Sequence, residues 1–228
     1  MRLLPLTLLP LTLGLSISTV QADELDQRIQ FIENNFQQTR DHSELWQWGW
    51  FGFLGGAAVA QGIGANVTDD DKMQYDFTVG ATTSFLGAAD MLLNPMKNHN
   101  YYDELAAMPA NSAAEKQAKL GKAESYLAAA VKRESYEQSW VNHTLAGLVN
   151  GLAGLAVAYD DKRPIDGWVT FATGMIVTEI KIYTAPQTMI EANDNYQNGN
   201  YQARAAKPEQ QRWHFAAAGP QLFASYRF

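Results

Sequence analysis

Between Leu45 and Thr68 the chain runs for 24 residues, "LWQWGWFGFLGGAAVAQGIGANVT", without one formal charge. Ser139–Tyr159, "SWVNHTLAGLVNGLAGLAVAY", does the same. Two more apolar segments follow this style. Phe77–Met96 is broken only by Asp90, and Gly167–Pro186 only by Glu179 and Lys181. A helix rises about 1.5 Å per residue, so such lengths match a hydrocarbon core of about 30 Å. Backbone amides leave water only inside helices or closed barrels. The four segments are therefore expected to be membrane-spanning helices. Their richness in glycine and alanine leaves one alternative, the buried helices of a soluble periplasmic bundle.

The segments come in pairs. Shifting the chain by 90 residues places Trp50 on Trp140, Asp70-Asp71-Lys72 on Asp160-Asp161-Lys162, and Asp76 on Asp166. With one residue of slippage Pro95 meets Pro186, and Asp90 meets Lys181. Each half reads as an apolar helix, a short Asp-Asp-Lys turn and a second apolar helix ended by proline, the pattern of an internal duplication. The expected architecture is mainly α: a membrane-embedded four-helix bundle of two duplicated helical hairpins, 45–96 and 139–190. Glycines four apart, Gly52 with Gly56 and Gly147 with Gly151, are candidates for close helix packing in lipid. Trp46, Trp48, Trp50, Trp140, Trp168 and Tyr159 cluster near segment ends, as interfacial belts do.

The remaining segments are polar. Residues 1–22, "MRLLPLTLLPLTLGLSISTVQA", combine one cation, an apolar core and a small-residue finish, and are expected to be a signal peptide cleaved after Ala22. Residues 23–44 place Leu25, Ile29, Ile32 and Phe36 at helical spacing, giving an amphipathic helix. Residues 97–138 hold balanced charges and strong helix formers, and read as a soluble helical connector interrupted at Gly121. Residues 191–228 form a polar tail with a short β-hairpin expected across Gly219-Pro220, Arg212–Ala217 against Gln221–Phe228. The net charge of −7 argues against nucleic acid, whose phosphates need clustered cations. The absence of cysteine removes disulfides and thiolate chemistry. Export followed by four spans leaves only Lys72, Lys162 and Arg163 on the cytoplasmic side, which runs against the positive-inside tendency.

The chain ends "LFASYRF", with Leu222, Ala224, Tyr226 and Phe228 on one face of a period-two pattern. This resembles the closing strand of bacterial outer-membrane barrels. The resemblance covers about nine residues and implies, as an alternative, a β-barrel-type protein of the outer membrane. "WVTFATGMIVTEIKIYT", rich in β-branched residues, would also suit strands.

Ionisable groups inside apolar segments normally pair or face a protein interior. Asp90, His143, Asn150, Glu179 and Lys181 are accordingly the candidate buried polar residues. An Asp90–Lys181 pair across a pseudo-twofold axis is expected to tie the two hairpins together. His99, among Asn98, Asn100, Asp103 and Glu104, reads as a solvated loop histidine rather than a metal ligand. No phosphate-binding loop, serine nucleophile motif or zinc-hydrolase motif is present. No catalytic residue, metal or cofactor is expected. The chain reads as an exported integral membrane protein of a Gram-negative-type envelope, a non-enzymatic scaffold or interaction subunit. Its partners would be membrane lipid and another envelope protein or a second copy. The alternatives are a small transporter or channel using Asp90, Glu179 and Lys181, and an enzyme using His143 with Glu179.

Overall fold

The computed structural model describes the backbone of residues 14–201, 213–218 and 221–226, with side chains over 23–201. The fold is mainly helical. Most of the expected signal peptide, and the terminal Arg227 and Phe228, lie outside the described residues.

Helix α1, Gly14–Val67, is 54 residues long and joins the amphipathic segment to the first apolar segment without a break. No proline or turn signal separates them, so the helix continues for about 80 Å. Asp70 then caps α2, Asp71–Leu93, by accepting from the Met73 amide at 2.9 Å. Pro95 keeps α2 from continuing. Helix α3 is Asn98–Ala106 and α4 is Ala113–Glu137. A capping box of Ser112 and Glu115 opens α4, which runs through Gly121 unbroken. Helix α5, Trp140–Leu155, passes into a π-helical turn, Ala156–Asp160. Helix α6, Pro164–Tyr183, begins with proline at its first position, and α7 is Thr188–Gln197. The β-branched run of α6 is thus helical. Strands β1, Trp213–Ala218, and β2, Gln221–Tyr226, pair antiparallel with Trp213 opposite Tyr226.

Two regions differ in what they bury. The first half of α1, α3, α4 and α7 enclose a core of Ile29, Ile32, Phe36, Leu105, Leu120, Leu127 and Met189. Each such side chain contributes about 1.5–3 kcal/mol when fully buried. The segment expected to be a solvated connector therefore supplies much of this core. Tyr101 stacks on Tyr126 at 4.2 Å, and the start of the polar tail is helix α7, which buries Met189, Ala192 and Tyr196.

The second half of α1 runs antiparallel along α2, with Gln47 bonded to the Met91 carbonyl and Gln61 to Ser84. Helices α5 and α6 run antiparallel in the same way, with His143 beside Glu179 and Asn150 beside Thr178. Helix α5 is inverted relative to a helix of a water-soluble bundle. On α5 the buried face is Asn142, Ala146, Asn150, Ala153 and Gly154. The exposed face is Val141, Leu145, Leu148, Leu152 and Leu155. Among the described side chains, every exposed Leu, Ile, Val, Met, Phe, Trp or Tyr lies within 45–93 or 140–183. By length and hydropathy only Trp140–Asp160, α5 with its π turn, is long and apolar enough to cross a membrane among the described residues. The other three are diluted by glycine, threonine and amides. Exposed threonines satisfy their hydroxyls internally: Thr78, Thr82 and Thr144 each donate at 2.8 Å to the carbonyl four residues back.

Candidate functional site

The densest polar constellation lies where the apolar helices meet the helical domain. Helices leave their last carbonyls and first amides without internal partners. Here side chains from other helices supply those partners. At the C-terminal end of α6, the Lys181 carbonyl accepts from Trp46 Nε1 at 3.0 Å. The Ile182 carbonyl accepts from Gln138 Nε2 at 3.0 Å, and the Thr184 carbonyl from His42 Nε2 at 2.9 Å. Trp50 Nε1 donates to Thr184 Oγ1 at 3.1 Å. At the end of α2, Gln47 donates to the Met91 carbonyl and accepts from the Met96 amide, both at 2.7 Å. Glu134 is fully buried on α4, and Asn98 of α3 donates to it at 2.7 Å. Its other oxygen accepts from the Met189 and Ile190 amides at 2.9 and 3.2 Å, so it caps α7 from a distance in sequence.

A buried ionic cluster sits beside these contacts. Lys181 Nζ bonds to Glu137 Oε1, and Arg133 Nη1 donates to Glu137 Oε2 at 2.6 Å. Both cations lie against the Trp46 ring, at 5.2 Å for Lys181 and 5.7 Å for Arg133. Burial pushes the Glu137 pKa up, but the Lys181 ammonium and the Arg133 guanidinium outweigh it and hold the carboxyl below its usual range.

The structure pairs Lys181 with Glu137, not with Asp90. Asp90 accepts at 2.8 Å from Asn94, the residue that caps its own helix, so the expected tie between the hairpins is replaced by a tie from α6 to α4. His143 and Glu179 do meet: Nδ1 lies 2.9 Å from Oε1, with side chains 42% and 43% exposed. Asn150 is buried in the α5–α6 seam, donating to the Ala146 carbonyl at 2.9 Å and to Thr178 at 3.3 Å. Gly174 makes room for it, since a Cβ there would lie 2.0 Å from Asn150 Oδ1. A Cβ at Gly52, Gly56, Gly147 or Gly151 would meet nothing within 4 Å. Within the chain the close approaches occur at other glycines. A Cβ on Gly167 would sit 2.4 Å from the Gly154 carbonyl oxygen.

His99 lies in α3 and is buried, with Ser43 Oγ 3.5 Å from Nδ1. It is not the solvated loop residue expected. Burial lowers its pKa below the ordinary value, opposed in part by Glu44 and Asp103. The neutral imidazole is the folded form, so its contribution to stability is complete above pH 6.5 and declines below it. The depressed Glu137 carboxyl adds a second loss as pH falls below 4.5. Thermal unfolding between about pH 2 and 8 should show both declines, and His99→Gln should remove the upper one alone.

At the opposite end of the hairpins a second polar clasp joins the turns. Tyr75 donates to Asp160 at 2.8 Å, and Arg163 bonds Asp76, Asp161 and Asp166. These carboxylates, Asp76 foremost, raise the Arg163 pKa and keep it charged. Among the described residues no group of three or more His, Asp or Glu side chains is arranged to hold a metal ion.

Sequence reasoning missed Glu134, Glu137 and Arg133 because their segment looks like a solvated helix. The spacing of Arg133 and Glu137, four apart, was a visible signal for an ion pair but not for its burial. Chemically, the junction satisfies helix ends and fixes helix directions. No family model matches the chain, and comparison with curated proteins and with solved structures finds no match.

Proposed function

We propose that the chain is an exported integral membrane protein of a bacterial envelope and acts as a non-enzymatic scaffold. Two related helical hairpins lie in the lipid, and the helical domain of α1, α3, α4 and α7 stands at its surface. There it is held ready for another envelope protein or a second copy. The observation that carries this reading is the confinement of the exposed large apolar side chains, among the described residues, to the hairpins. In water that surface would drive aggregation, whereas in lipid it has no such cost. Polar groups of the second hairpin are satisfied in pairs, Asn150 with Thr178 in the seam and the half-exposed His143 with Glu179, which supports a structural role over a transport path. Alkaline carbonate extraction of a membrane fraction tests the proposal. The protein is expected to stay in the pellet and to need detergent for release. Recovery as a detergent-independent monomer in the wash would overturn it.

A further inference from the structure

We infer that the surface of these hairpins is fitted to a bilayer with a thin hydrocarbon core, no more than about 22 Å across. The inference rests on the membrane reading above and specifies the lipid partner. Exposed aromatic rings occur at both ends of the apolar surface. Trp140 and Tyr183 stand at the junction end, 76% and 82% exposed, and Tyr159 and Trp168 at the turn end, 78% and 72% exposed. Indole and phenol groups settle at headgroup level, where the ring is partly desolvated and the polar tip stays wet. Between them the exposed large side chains of α5 are aliphatic, Leu145 and Leu148 through Leu155, and on α6 they include Val169 and Ile176.

Helical rise converts these positions into a thickness. From Trp140 to Tyr159 the axis advances at most about 28 Å, and from Trp168 to Tyr183 about 22 Å. Tilt only shortens the projection on the bilayer normal, so these are upper limits. An ordinary core is about 30 Å, and the bacterial outer membrane is thinner than average. A thick bilayer would pull the four rings into hydrocarbon or force the lipid to thin around them.

The test reconstitutes the full chain into phosphatidylcholine vesicles with myristoleoyl, palmitoleoyl, oleoyl or erucoyl chains, followed by thermal unfolding read from circular dichroism. Resistance to unfolding is expected to be highest with the two shorter chains and to fall steadily toward erucoyl. The double variant Trp168→Leu with Tyr183→Leu replaces two anchors by aliphatic side chains. It should move the optimum to longer chains. A maximum at oleoyl or erucoyl for the unaltered protein, or an optimum that the double variant leaves in place, overturns the thickness while the membrane reading stands. Failure to associate with any of the vesicles overturns the membrane reading itself.

Discussion

Replacing Lys181 by methionine is expected to destabilise the protein by about 3–5 kcal/mol, the usual cost of removing one partner from a buried ion pair. The carboxylate left behind, Glu137, is fully buried. Arg133 would remain as its ionic partner, at 2.6 Å, and the Lys181 contact with the Trp46 ring would be lost. The double variant Lys181→Met with Glu137→Gln should recover part of the loss, because the buried carboxylate is gone and the one charge left in the cluster, Arg133, is 13% exposed and still donates to the Asn94 carbonyl at 2.8 Å. Asp90→Asn should stay within about 0.5 kcal/mol, since Asp90 answers only to Asn94. Denaturant or thermal unfolding in detergent measures all three. A Lys181→Met variant as stable as the parent would show that the cluster does not hold α6 to α4.

Gly167→Val is expected to cost about 3 kcal/mol by forcing α5 and α6 apart. The added carbon would fall 2.4 Å from a backbone oxygen and 2.6 Å from Ala158 Cβ, neither of which can swing away. Gly52→Ala is expected to do the opposite. It meets nothing within 4 Å, and alanine is favoured over glycine in a helix by up to about 1 kcal/mol. The same unfolding measurement separates the two. A destabilising Gly52→Ala would mean that this face packs against something outside the chain.

These two expectations mark how much of the site was legible. Lys181 was identifiable as a cation placed where an apolar segment needs a partner for it, and His143 with Glu179 as residues of neighbouring segments. The wrong partner was assigned because the pseudo-symmetry of the halves suggested Asp90. Glu137, from a segment that alternates charges like any solvated helix, gave no sign of burial. The glycine pairs, which meet nothing within the chain, show a related limit. Spacing of four identifies a face of a helix but not what lies opposite it. The π-helical turn at Ala156–Asp160 had no counterpart in the first hairpin and no local signal in the residues quoted for the repeat.

By itself the sequence determined the mainly helical class and the positions of the four apolar segments. Uncharged length and Pro95 as punctuation act within a few residues and need no tertiary context, as do the caps Asp70 and Ser112 that the structure adds. Only the tertiary structure decided which helices share a core, that Glu134 and Glu137 are buried, and that Gly167 rather than Gly52 touches a neighbour. The buried carboxylates depend on contacts between residues 44 positions apart for Lys181 with Glu137 and 55 for Met189 with Glu134. At such separations propensity and capping carry no information, and packing chooses the partner.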